Sequence, residues 1–201
     1  MKYIFISIIV IFTSFNCAQK KEPLLGETDY QKAQNAEFKD ASKSPLTTKD
    51  LKTFKQLDFY KFNKEYVVNA KVTLKPDSAY FEMPTTTDAK QMYRVYAVLS
   101  FEMLGKTYQL NVYQNQELLT TKGFEDYLFL PFIDNTNGET TYGGGRYIEL
   151  SIPDGNILTI DFNKAYNPYC AYNYKYSCPI VPIENTLDLK VEAGVKAFNS
   201  Y

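Results

Sequence analysis

The chain of 201 residues has no histidine and no tryptophan, and arginine stands only at positions 94 and 146 among its 22 basic residues. Without an imidazole, a serine or cysteine nucleophile has no histidine base to accept its proton, so triad-type hydrolysis is excluded. Any catalysis would fall to carboxylates, lysine, tyrosine or a metal held by oxygen. A large excess of either charge is also missing: 22 basic residues face 23 acidic ones. That balance gives no electrostatic basis for binding nucleic acid or an anionic lipid surface. The N-terminal apolar run, residues 3–12, is about half of the roughly twenty residues that a membrane-crossing helix requires.

That run follows Lys2 and ends in a small polar stretch closed by Cys17, the pattern of an export signal. Ser14, Phe15, Asn16 and Cys17 resemble a loose lipobox of the kind found in Bacteroidetes lipoproteins. The resemblance implies a signal peptide over residues 1–17, lipidation of Cys17 and a membrane-held mature chain, the alternative being an ordinary secretory signal. Acyl chains contribute about 0.8 kcal/mol per buried methylene, so anchoring needs no protein surface. No acidic run follows Cys17, which points to a periplasm-facing position in the cell envelope. Residues 18–28 carry charge, Pro23 and Gly26 without periodicity and read as a tether. Residues 29–201 are expected to form a single β-rich domain.

Cys170 and Cys178 remain, with seven residues between them. In an oxidising compartment such a pair reads as a disulfide closing a short loop. Zinc is the rival, but two thiolates without histidine do not complete its shell. The acidic stretch at 134–139 lacks the alternating ligands of a calcium loop, so neither a metal nor another cofactor is expected.

Helix formers at three- and four-residue intervals (Tyr30, Ala33, Ala36, Glu37 and Ala41) predict a helix from Asp29 to about Ser42 with Thr28 or Asp29 as N-cap. A second short helix or turn is predicted over 48–54, capped by Thr47 or Thr48. After Leu57 the pattern turns to period two, rich in tyrosine, valine and phenylalanine. Strands are predicted at 65–74, 78–83, 92–103, 106–116, 127–134, 145–152, 156–163 and 185–193. Leu104-Gly105 predicts a tight hairpin, and Pro153-Asp154-Gly155-Asn156 a second one between the sixth and seventh strands. Eight strands with short connections, 18 tyrosines and 14 phenylalanines give a mainly β protein: an antiparallel sandwich or barrel-like domain with a short N-terminal helical segment. An open sheet backed by the helix is the alternative.

The densest punctuation lies between Leu128 and Glu192. It contains Pro131-Phe132, Asp134, Gly138, Thr141-Tyr142-Gly143-Gly144-Gly145-Arg146-Tyr147, Asp161-Phe162-Asn163, Ala165-Tyr166-Asn167-Pro168, Cys170-Ala171-Tyr172, Cys178-Pro179 and Glu184-Asn185. In these residues the chain resembles the bacterial and archaeal family known as domain of unknown function 1684, over about residues 29–198. The resemblance implies no activity.

Read physically, Gly143, Gly144 and Gly145 serve either as a bulge or positive-φ turn leading into a strand, or as a run of backbone N–H groups around an anion. Arg146 offers a planar fork suited to a carboxylate, with Asp134 or Asp161 as candidate partner. It reads as a structural ion pair, a ligand-facing group or a solvated side chain. Tyr166, Tyr169, Tyr172, Tyr174 and Tyr176 either pack over the end of the barrel or line a groove suited to a glycan. Asp134, Tyr142, Gly143, Gly144, Gly145, Arg146, Asp161, Asn167 and Glu184 are therefore the candidate ligand site. The leading expectation is a lipid-anchored envelope binding module for a small molecule, glycan or protein. One alternative is a hydrolase using two of Asp134, Asp161 and Glu184 as acid and base; another is a structural envelope role.

Overall fold

The structure is a computed structural model and describes residues 26–198. The expected signal, Cys17 and most of the tether lie outside the described residues. Helix α1, Asp29–Lys39, is capped by Thr28, whose hydroxyl accepts the Gln31 N–H at 3.2 Å. Asp29 in its first turn and Lys39 in its last complement the helix dipole. The helix stops three residues before the predicted end, and the stripe it buries is Gln31, Asn35 and Phe38 rather than the alanines. Two of those three are polar because they bond backbone: Asn35 Oδ1 accepts the Leu57 N–H at 2.6 Å, and Gln31 Nε2 donates to the Tyr60 carbonyl at 3.3 Å. Helix α2, Thr48–Thr53, is capped by Thr47, which accepts the Asp50 N–H at 3.1 Å.

Eight strands follow: β1 Val67–Leu74, β2 Phe81–Met83, β3 Gln91–Met103, β4 Lys106–Asn115, β5 Tyr127–Asp134, β6 Arg146–Ser151, β7 Ile157–Asp161 and β8 Thr186–Leu187. They form one sheet in the order β6-β5-β4-β3-β1-β7, with β2 on β3 and β8 on β5. All pairings are antiparallel except β8 with β5. Leu104 (φ 50°) and Gly105 (φ 77°) make the predicted two-residue hairpin between β3 and β4, their paired positive φ values matching the twist of the strands they join.

The hairpin predicted at 153–156 does not form. β6 and β7 are the two edges of the sheet. Six strands laid flat at ~4.8 Å spacing would put those edges ~24 Å apart, whereas the six Cα steps from Ser151 to Ile157 span at most ~21 Å. The sheet has to curl, and the Pro153-Asp154-Gly155-Asn156 segment ties its edges together. The result is a half-barrel, the barrel-like member of the predicted pair.

Side chains inside the curl come from both edges and from the middle: Val68, Ala70, Leu99, Phe101, Leu110, Leu128, Leu130, Phe132, Ile148, Leu158 and Ile160. A second cluster, Met83, Tyr93, Tyr113, Phe129, Tyr147 and Val181, lies on the outer face. Strand β3 contributes to both through a bulge. Val95 faces Tyr113 and Ala97 faces Val112, so two residues of β3 oppose one of β4 at Tyr96. The extra residue flips the alternation: Tyr93 and Val95 point outward, while Ala97, Leu99, Phe101 and Met103 point inward.

The last predicted strand, 185–193, shrinks to Thr186–Leu187. Beyond it the chain is held mainly by single contacts, such as the Asn135 N–H on the Leu189 carbonyl at 2.8 Å and the Val195 N–H on the Ala165 carbonyl at 2.9 Å. Beside it, β4 and β5 share one register pair, Tyr113 with Phe129. Pro131 of β5 has no N–H to offer, and Asn185 fills the gap. Its amide accepts the Asn111 N–H at 2.9 Å and donates to the carbonyls of Asn111 and Pro131 at 2.8 and 2.6 Å.

Candidate functional site

Arg146 begins β6 on the inner face, across from Phe132, and is fully buried. Its Nη2 donates to Asp134 Oδ2 at 2.7 Å and to the Val191 carbonyl at 2.9 Å, and its Nη1 donates to the Ala193 carbonyl. The guanidinium also lies 5.2 Å from the Phe132 ring centroid. Asp134 Oδ1 accepts from the Thr136 N–H (2.8 Å), the Thr136 hydroxyl (2.6 Å) and the Val191 N–H (3.1 Å). Burial pushes the Arg146 pKa down and Asp134 opposes the shift; from so high a starting value the group stays charged. Arg146 thus performs the structural member of its three predicted roles. It ties β5 and β6 to a C-terminal segment whose carbonyls have no strand partner.

The other predicted residues are dispersed. Asp161, the alternative partner for Arg146, instead accepts from the Asn163 backbone and side-chain N–H groups at 3.0 and 2.9 Å and caps the turn Phe162–Lys164. Asn167 is buried and donates to the Lys196 carbonyl at 2.9 Å and the Tyr172 hydroxyl at 3.3 Å. Glu184 is exposed in the turn Ile183–Asn185. Of the three glycines only Gly145 has positive φ, at 90°; a side chain there would meet the Phe132 carbonyl and Val181 at 2.7 Å. At Gly144 it would meet the Tyr142 ring at 2.6 Å. The run lets the chain pass close to β5 and lets the Tyr142 ring lie over the backbone.

Cys170 and Cys178 are free thiols, not the predicted disulfide. The Cys170 N–H donates to Cys178 Sγ at 3.1 Å, and the Cys178 N–H donates to Thr86 Oγ1 at 3.1 Å. The two thiols share a hydrogen bond, and this contact rather than a covalent bond closes the loop. It brings the Cys170 pKa down to about 6, with Tyr142 and Thr86 assisting, and pushes that of Cys178 up.

An aromatic cavity lies on the outer face. It has a volume of about 270 Å³, and its walls include Tyr93, Tyr127, Tyr147, Tyr166, Tyr169 and Tyr176 around Glu149. Strict alternation along β6 separates this site from the arginine: Arg146 and Ile148 point in, Tyr147 and Glu149 out. Segment 166–180 roofs the cavity. It is pinned to β6 by the Tyr147–Tyr166 bridge and to residues 84–86 by the Thr86 N–H on the Cys178 carbonyl (2.9 Å) and the Ile180 N–H on the Pro84 carbonyl (2.7 Å). Tyr166 donates its hydroxyl to Glu149 Oε1 at 3.0 Å, and Tyr147 donates to the Pro179 carbonyl. A second chamber of about 390 Å³ shares Glu149, Tyr166 and Tyr169 and adds Tyr30, Gln34, Glu37 and Lys164. Burial first, and then Glu149, raises the Tyr127 pKa; burial also leads the rise at Tyr147 and Tyr166.

The tyrosines of the loop divide among three environments. Tyr166, Tyr169 and Tyr176 line the cavity, Tyr172 packs on Phe38 and Phe198, and Tyr174 is 92 % exposed. Sequence reasoning missed Glu149, Tyr93 and Tyr127. The one available signal was the outward parity of Tyr147 and Glu149 on a strand whose inward positions are Arg146 and Ile148.

The fold and cavity define a mainly β half-barrel with an aromatic cleft on its outer face, roofed by its own C-terminal loop. Residues 52–196 match the family described as "Protein of unknown function (DUF1684)", and the chain belongs to that family. It is similar to the solution NMR structure of the uncharacterized protein from gene locus rrnAC0354 of Haloarcula marismortui, at 32% identity and a TM-score of 0.64. The match covers 82% of this chain and 88% of that one. None of the curated proteins matches it.

Proposed function

We propose that this is a lipid-anchored cell-envelope protein, facing the periplasm, that binds a small organic ligand in the tyrosine cleft. The anchor and location rest on the N-terminal export pattern and Cys17. The binding role rests on one observation: six tyrosines surround a carboxylate that enters none of the ion pairs among the described residues. Apolar walls with a few placed polar groups are the usual make-up of ligand sites. The paired-carboxylate hydrolase draws no support from the geometry, because both oxygens of Asp134 are occupied by donors and Asp161 caps a turn.

The absence of tryptophan makes the test direct. Tyrosine emission is unmasked, and six of the 18 tyrosines line the cleft. The full chain in a polyoxyethylene detergent is titrated with sugars, nucleotides, amino acids and amines. A saturable change in emission for one class, weakened by Tyr166→Ala and unaltered by Tyr174→Ala, is expected. No response to any class, or one indifferent to Tyr166, contradicts the reading.

A further inference from the structure

The arrangement of the rings narrows the ligand. Three of the four neighbouring ring pairs in the cleft stand steeply: Phe129 and Tyr147 at 76° with centroids 4.7 Å apart, Tyr147 and Tyr166 at 89° and 5.9 Å, Tyr169 and Tyr176 at 60° and 5.3 Å; Tyr93 and Phe129 are tilted at 39° and 5.6 Å. A sugar ring stacks on a flat platform, which such angles break up. They form a box whose π faces, each the negative side of a quadrupole, point in several directions.

Four of the six tyrosine hydroxyls are engaged with protein acceptors. Tyr93 donates to Gln91 Oε1 at 3.0 Å, Tyr166 to Glu149 at 3.0 Å and Tyr169 to Glu37 at 3.4 Å, while Tyr147 bonds the Pro179 carbonyl. Ring surface is therefore most of what the walls offer a ligand, with the Tyr176 hydroxyl beside it. The charge lining the first chamber has one sign as well, while outside it Lys175 Nζ lies 4.8 Å from the Tyr176 ring centroid. In the first chamber Glu149 is the one charged side chain, and in the second Glu37 and Lys164 offset one another. A cavity of about 270 Å³ lies just below the usual range of ligand pockets, about 300 to 1,000 Å³, which restricts it to a small ligand.

We propose that the cleft takes a small alkylated ammonium ion, its charged head against the tyrosine rings and Glu149 as counter-ion. Cations over aromatic faces are attracted by the ring quadrupole, most strongly where water is excluded. This proposal rests on the cleft being a ligand site. An ammonium head of this kind exists both free and on a lipid, and the test separates the two.

The full chain in the same detergent is titrated calorimetrically with choline, with its neutral tert-butyl isostere neohexyl alcohol, and with glucose. Choline is expected to bind saturably, neohexyl alcohol at least tenfold more weakly, and glucose not at all. Glu149→Gln, an exposed position outside the core, should weaken choline about two- to fivefold, the effect of removing a partly solvated counter-ion. Tyr166→Phe keeps the ring and should retain binding, whereas Tyr166→Leu should not. Co-sedimentation with phosphatidylcholine vesicles that free choline reverses would assign a lipid head group; choline binding with inert vesicles would assign a free ammonium ion. Equal binding of choline and its isostere, or binding of glucose in place of choline, overturns the cation assignment and leaves the cleft a ligand site. If no compound of any class binds, both readings fall.

Discussion

Replacing Arg146 by methionine tests whether the lone buried guanidinium is a structural clasp. Neither Arg146 nor Asp134 exposes its side chain. Methionine would leave the Asp134 carboxylate with three neutral donors from Thr136 and Val191 but no counter-charge. It would also strip a donor from the Val191 and Ala193 carbonyls. Removing one partner of a buried pair costs about 3–5 kcal/mol, a large share of the roughly 5–15 kcal/mol that stabilises a domain. Asp134→Leu should cost a similar amount by stranding the guanidinium. The double variant removes both charges, so its loss should fall short of the sum by about 2–3 kcal/mol, the coupling expected for residues in one network. Chain from residue 18 onward, unfolded in urea and followed by circular dichroism, gives the four stabilities. Because the pair is sealed from solvent, the coupling should persist at high salt. Single variants costing under about 1 kcal/mol, or a coupling near zero, would refute the reasoning.

Other expectations follow from the same contacts. Asn185→Leu removes three side-chain hydrogen bonds, two to Asn111 of β4 and one to Pro131 of β5, and should cost about 2–4 kcal/mol in the same urea assay. The Cys170 thiol, lowered to about 6 by its bond from Cys178, should be alkylated by iodoacetamide at a rate that rises with pH through about 6 and then levels, while Cys178 stays unreactive; mass spectrometry reads the sites. Burial raises the pKa of Tyr127, Tyr147, Tyr166 and Tyr172. Their contribution to stability is complete below the unfolded value near 10 and is lost as pH rises toward the folded values. Alkaline unfolding should therefore set in above about pH 10, with these four ionising only as the chain unfolds, which tyrosinate absorbance would show.

Local chemistry was legible in the sequence where a residue type has one use. Thr28 and Thr47 cap the helices they were expected to cap, Leu104-Gly105 turns the hairpin, and 127–134 is a strand from end to end. Long-range pairing was not legible. The turn chemistry of 153–156 suits a hairpin equally well as an edge-to-edge tie, and only the sheet order distinguishes them. The bulge at Tyr96 leaves no mark in an alternating strand, yet it decides which β3 residues face the cleft. Arg146 is set apart by its rarity, but its place on the inner face of β6, away from the cleft, is a matter of strand parity that rarity does not reveal. Glu149 looked like any exposed strand residue, because its neighbours in space come from β3, β5 and the C-terminal loop.

The most direct test of the account is where a bound ammonium ion sits, read from nuclear Overhauser effects between the choline methyl protons and the protein. Cross-peaks to ring protons of Tyr127, Tyr147 and Tyr166, with none to Phe132 beside Arg146, are predicted. Saturable cross-peaks confined to Tyr142 and the 143–145 glycines, or none at any concentration, would contradict it.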